Sequence, residues 1–309
     1  MRTAPPQGSR ATGVALAALI LLLGASAARA QYAHAGDAPT RGLRVPGASA
    51  TLDQNAAALE TNPAQAGWLR SWQLLLGHTE LRPDGRFLGT GSGVFFSQRL
   101  PFVPLTLSAG AQLVRPARGF GERYPDAGKL SLGLAVAATS WLSVGLAGHV
   151  FIAPNASGNI NGLTTLDAGL TLRPSSWLSL ALVVRDLTNP HWAGLPLQRV
   201  WDFEFGIRPL TSGRLGFALG LSVGERRRDL APRVILQGTP WPGFTLFADA
   251  TWIRRDLDDT DGVFSRRDDV QVTAGVKLDF AHVGLHFGFV GGYHDRPGGA
   301  ATGGSAWLR

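Results

Sequence analysis

Apolar residues alternate with polar or small ones at a period of two, in segment after segment of the chain. In Val200 to Arg208, Trp201, Phe203, Phe205 and Ile207 fall on one side, and Asp202, Glu204, Gly206 and Arg208 on the other. Successive strand residues face opposite sides of a sheet, so such a segment separates an oily medium from a wet one. Thirteen segments of this kind can be marked, from Trp68 to Thr79 and Leu88 to Gln98 through to Asp269 to Phe280 and Val283 to Tyr293. Most have roughly the nine to eleven residues that a tilted strand needs to cross a bilayer. The tenth, Arg233 to Gly238, is short. The pattern predicts an all-β chain: a transmembrane antiparallel β-barrel.

The connections alternate between tight and long. Ser140-Trp141, Arg173 to Trp177, Thr239 to Gly243 and Ala281-His282 are tight, whereas Arg115 to Gly128, Ala153 to Gly162, Leu187 to Arg199 and Arg254 to Asp268 are long. Outer-membrane barrels have this asymmetry, with short periplasmic turns and longer outer loops. It places the N-terminus of the barrel in the periplasm and the end of the thirteenth strand outside. Barrels of this class have even strand numbers, so about fourteen strands are expected. Only Gly304 to Arg309 is left for the last, which is read as incomplete, with the natural chain continuing beyond Arg309 or the gene product truncated.

The first thirty residues read as an export signal: Arg2 and Arg10, an apolar run from Ala11 to Leu23, and the small-residue site Ala28-Arg29-Ala30. The run is too short to span a bilayer comfortably, which predicts cleavage before Gln31. The expected organisation is therefore a signal peptide over 1–30, a periplasmic N-terminal plug segment over 31–67 and an outer-membrane barrel over 68–309. Zero cysteines exclude a disulfide framework and thiolate metal sites. The formal net charge of +7 rests almost wholly on arginine, since Lys129 and Lys277 are the only lysines. Those arginines lie mainly in loops among aspartates, with no basic helix or aromatic-basic face, so nucleic acid is not an expected partner.

Tryptophans recur at the tight turns. Ser140-Trp141-Leu142-Ser143-Val144-Gly145-Leu146 is echoed by Ser176-Trp177-Leu178-Ser179-Leu180-Ala181-Leu182, and more loosely by Pro240 to Leu246. They match an aromatic girdle at the inner headgroups.

Catalytic signals are weak, and neither an enzymatic activity nor a cofactor is expected. Gly220-Leu221-Ser222-Val223-Gly224 has the G-x-S-x-G spacing, but its serine lies inside an alternating strand instead of a strand-to-helix elbow. His282 and His286 would stand roughly 13 Å apart on a strand and cannot share a metal ion. The acidic run Asp256 to Gly262 lacks the closing glutamate of a calcium loop, and arginines flank it. A solvated loop meeting lipopolysaccharide phosphates is the better reading, making outer-membrane lipid and lipopolysaccharide the expected surroundings.

Alternation assigns a set of charged and polar residues to the lumen: His149, Asp167, Arg185, Asp202, Glu204, Asp249, Lys277 and Asp279. Opposite charges among them can pair into a network that rigidifies a plugged interior. Other inward positions are small, including Gly133, Gly145, Ala181, Gly216 and Gly220, which leaves room for a plug, a ligand or an apolar passage.

Ahead of the first strand, Leu52 to Ala64 lacks strand alternation. It reads as an alanine-rich helical turn ended by Asn62-Pro63. With Asp53, Ala56, Ala57, Asn62, Pro63 and Ala64, this stretch resembles the N-terminal plug of the FadL-type outer-membrane transporters of long-chain fatty acids and other hydrophobic compounds. A similar element occurs in the PorV-type barrels of secretion systems. The chain departs from the family at Leu52, where an acidic residue usually precedes the next, and in its shorter length. The resemblance implies a plug formed by Asp53, Asn62, Pro63 and Ala64.

Two functions compete at this stage. One is passive transport of hydrophobic or small amphipathic molecules through a plugged barrel, with a hydrophobic ligand. The other is a PorV-like scaffold or anchor for a periplasmic protein partner, or for a domain encoded beyond residue 309, such as a peptidase.

Overall fold

The computed structural model describes residues 40–43, 45, 47–81, 90–115, 126–153, 160–192, 195–209, 214–225, 230–257, 265–279, 283–293 and 297–308. The expected signal peptide and much of the long outer loops lie outside these residues.

The chain enters through an irregular segment that ends in a short helix α1 (Ala58–Thr61) and a 3-10 turn (Pro63–Trp68). The strands that follow are β1 (Trp72–Leu81), β2 (Thr90–Arg99), β3 (Leu105–Arg115), β4 (Ala127–Ala137), β5 (Leu142–Ile152), β6 (Thr164–Leu172) and β7 (Leu178–Arg185). A two-residue ladder pairs β8 (His191–Trp192) with β9 (Leu195–Pro196) apart from the main sheet. The sheet resumes with β10 (Val200–Ile207), β11 (Leu215–Gly224), β12 (Leu230–Trp241), β13 (Phe244–Leu257), β14 (Ser265–Asp279), β15 (Val283–Tyr293) and β16 (Pro297–Leu308). Each strand pairs antiparallel with the next, and β16 returns to β1 in a register running from Leu74 against Leu308 to Leu81 against Ala301. Fourteen strands thus close a barrel with no free edge, which is what a sheet in lipid requires of its backbone.

The strands form because each supplies a two-sided pattern that only this environment rewards. In β4, Leu130, Leu132 and Leu134 are exposed on the outer face, Leu132 to 72%, while Lys129 and Ser131 are buried inside. Leucine, valine and phenylalanine repeat this along β5 at Val144, Leu146 and Val150 and along β10 at Phe203 and Phe205. An apolar band of that extent would be costly in water and is favourable against acyl chains. Trp141, Trp177 and Trp241 are exposed at the short-turn end, where a girdle belongs. Trp201, at the other end of its strand, is instead covered.

Three expectations about strands are corrected. The last strand is not incomplete: β16 is twelve residues long and lies between β15 and β1. Its sequence, rich in glycine and alanine, has no apolar alternation to announce it, and neighbours on both sides supply its hydrogen bonds. β12 is not short either, running from Leu230 to Trp241. Pro232 and Pro240 interrupt its pattern because proline cannot donate to a ladder, and the register does shift between Gly238 and Trp241. The first strand begins at Trp72, since Pro63–Trp68 is a 3-10 turn. Ser222 lies inside β11, a strand interior and not an elbow.

Candidate functional site

The lumen is occupied by the chain's own N-terminal segment. The described residues from Leu43 to Leu69 are largely buried within the barrel, and two kinds of contact hold them. One is apolar: Leu43, Val45, Ala56, Ala57 and Leu59 cluster with Leu75, Phe95 and Ala147 of the wall. The other is polar, because a segment with so little regular structure must satisfy its backbone elsewhere.

Asn62 organises the local turn. Its side-chain oxygen accepts from Ala64 N at 3.1 Å, capping the 3-10 turn that Pro63 begins. Its amide nitrogen donates to Ala50 O at 2.9 Å and to Thr171 Oγ1 of β6 at 2.8 Å. Ala64 is fully buried, and its carbonyl accepts from Ser143 Oγ at 2.7 Å. Asn62, Pro63 and Ala64 therefore press on one wall, where a Cβ added at Gly145 or Gly169 would collide with them. Gly133 likewise leaves room for Leu59, and Gly206 and Gly216 for Thr51 and Leu52. Most of the small lumen positions are small because the segment lies on them.

Asp53 sits on the opposite side. Its carboxylate accepts from Ser49 N at 2.8 Å and from Lys277 Nζ at 2.7 Å. Lys277 also donates to Gly47 O at 3.2 Å. Asp249 holds Arg233 through paired contacts of 3.0 and 2.5 Å, and the same guanidinium donates to Ala48 O at 2.7 Å. Glu204 accepts from Thr51 N at 2.9 Å, from Thr51 Oγ1 at 2.7 Å and from Ser49 Oγ. Arg185 lies between Asp167 at 3.2 Å and Asp202 at 2.6 Å. Its guanidinium also caps α1 from the wall, donating to Glu60 O at 2.9 Å and Thr61 O at 2.7 Å, carbonyls that a helix end leaves without partners. His149 shares a 2.7 Å hydrogen bond with Ser131 Oγ and lies 3.4 Å from Asp167. Asp279 belongs to β14, but its side chain lies outside the described residues.

The centre of the network is a residue that alternation did not mark. Glu60, on α1, accepts from Lys129 Nζ at 2.5 Å, Gln112 Nε2 at 2.7 Å and Ser131 Oγ at 3.0 Å. His149 stands 3.7 Å away. Burial alone would raise this carboxyl, but the Lys129 ammonium and His149 hold it down at about 2. Glu60 lies on a helical turn, so a strand period says nothing about it. The available signal was the scarcity of lysine: Lys129 and Lys277 each meet one of the two acids between residues 40 and 69.

No protein-family model matches the chain, and no curated protein sequence does. Among solved structures it is similar to the toluene transporter TodX of P. putida, with a TM-score of 0.55 and 12% identity over 87% of this chain and 99% of that one. A TodX deltaS2S3 mutant, described as a monoaromatic hydrocarbon channel, gives a TM-score of 0.54 and 13% identity over 88% and 97%. At such identities the likeness is one of fold. With its closed strand order, its apolar outer band and these neighbours, the chain is a β-barrel of the outer-membrane type.

Proposed function

We propose that this chain resides in the outer membrane as a FadL-like passive conduit for hydrophobic or small amphipathic molecules, with Asp53 to Ala64 as the hatch that closes its lumen. The observation that carries the reading is how the segment is held. Its carbonyls at Glu60, Thr61 and Ala64 accept from wall side chains, as do those of Gly47 and Ala48 just ahead of it, and its two acids meet wall lysines. Such contacts are individually worth about 0.5–3 kcal/mol, and water can replace them one at a time. A barrel built only for rigidity would be served better by continuous apolar packing, which does not open in steps. The structural neighbour TodX, described both as a toluene transporter and as a monoaromatic hydrocarbon channel, supports an apolar permeant of small size.

The test is uptake of an uncharged hydrophobic fluorophore into vesicles carrying the purified barrel. Wild-type protein should raise the uptake rate above protein-free vesicles, and deletion of Asp53 to Ala64 should change it further with the barrel still folded. A scaffold predicts permeability unaltered by either protein and a periplasmic partner retained by the wild type alone in a pull-down.

A further inference from the structure

The short-turn mouth of the barrel carries a second cluster that the lumen network does not use. Arg173 follows β6, Ser175 and Ser176 continue the same turn, Ser140 lies in the turn from β4 to β5, and Arg208 follows β10. With Leu52 of the inserted segment they line a pocket of about 440 Å³. Both guanidiniums meet only neutral acceptors. Arg173 donates to Gln65 Oε1 at 2.7 Å and contacts the Gln54 amide, while Arg208 donates to the carbonyls of Thr51 and Leu52, each at 3.1 Å. Among the described residues neither arginine forms an ion pair; the Asp53 charge acts on Arg208 from a distance, but its carboxylate is paired with Lys277.

The unmet groups of this cluster have one chemistry. Arg173 Nε and Ser175 Oγ are buried without a hydrogen-bond partner. So is the indole Nε1 of Trp68, over whose ring Arg173 lies at 3.9 Å. Buried donors are ordinarily satisfied, and two of these three belong to residues that line the pocket, so the cluster calls for acceptors. Burial and the neighbouring Arg208 charge push the Arg173 guanidinium down to about 9, a cost that a bound anion would relieve.

We propose that Arg173 and Arg208, with Ser140, Ser175 and Ser176, form an oxyanion site at the periplasmic mouth that takes the carboxylate of a small organic acid. A planar carboxylate can bridge two guanidiniums, accept from a serine hydroxyl and leave its apolar body against Leu52. The site belongs to the barrel with its lumen closed, so it does not depend on passage through it.

Isothermal titration of the detergent-folded protein with benzoate, and separately with inorganic phosphate, tests the assignment. Benzoate should bind saturably. Affinity should fall by roughly tenfold or more in Arg208→Gln, consistent with loss of a charged hydrogen bond, and by roughly threefold in Ser175→Ala. Arg208→Lys should restore part of the loss. Ser175→Ala removes no contact that the fold uses, so it decides the matter even if Arg208→Gln fails to fold. Absence of saturable benzoate binding, equal affinity in wild type and Ser175→Ala, or tighter binding of phosphate than of benzoate would each overturn the proposal.

Discussion

The ammonium of Lys129 donates to the Glu60 carboxylate at 2.5 Å, with the lysine 1% and the glutamate 8% exposed. Lysine occurs twice in this chain, and the second, Lys277, reaches Asp53 at 2.7 Å. Each acid of the inserted segment therefore has its own ammonium on the wall. Buried ion pairs add little net stability compared with apolar packing, because desolvation offsets the Coulomb gain, but a broken one is costly. Two such pairs, seven residues apart along the segment and on different strands, fix its register in the lumen.

Removing one partner should be worse than removing both. Lys129→Met strands the Glu60 charge and should weaken retention of the segment by about 3–5 kcal/mol. Lys129→Met combined with Glu60→Gln should recover most of that loss. Protease sensitivity of the N-terminal segment along a urea series, with barrel folding followed by gel mobility, measures both. Equal loss in the single and double variants would remove the pair from its proposed role.

Acid should loosen the segment through Glu60. Its carboxyl is held near 2 when seated, below the ordinary value of about 4.3 that a released segment would show. The stabilisation is therefore complete above the released value and is lost as pH falls from there through about 2. Channel activity of the wild type in planar bilayers should rise over that acid window. Glu60→Gln should lack that component of the response.

The outer face should reject charge. Leu132→Arg, on the most exposed part of β4, and Phe205→Arg on β10 should each destabilise the barrel by about 2–4 kcal/mol if they lie near the bilayer midplane. Reversible unfolding in lipid vesicles gives the values, and tolerance of both substitutions would contradict the lipid-facing assignment.

Crowding the lumen should act on the segment and spare the sheet. A side chain at Gly145 meets the Pro63 and Ala64 backbone, which cannot yield as a flexible side chain would. Gly145→Val should fold as a barrel, since valine suits a strand, while raising the protease sensitivity of residues 53–64. An unchanged digestion pattern would mean the segment has another seat.

The strands were readable because lipid enforces an extreme contrast between faces: Leu130, Leu132 and Leu134 against Lys129 and Ser131 leave little ambiguity of register. That contrast fails where a strand has small residues on both faces, so only the end of β16, from Gly304, was legible and its first half was not. The inward charges Asp167, Arg185, Asp202, Glu204 and Asp249 followed from the same alternation. Their partners did not, because an irregular segment threads past many strands and no period links Asn62 to Thr171 or Ser49 to Glu204. Glu60 was hidden in an alanine run, and Arg173 and Arg208 in turns, where position is set by tertiary contacts alone.

The central claim is that Asp53 to Ala64 closes a passage through the barrel. Single-channel recording in planar bilayers, comparing wild type with a variant lacking those residues and shown to fold by heat-modifiable gel mobility, tests it most directly. The account predicts low or rare conductance for the wild type and a larger, persistent conductance for the deletion. A folded deletion variant that conducts no better than the wild type would contradict it.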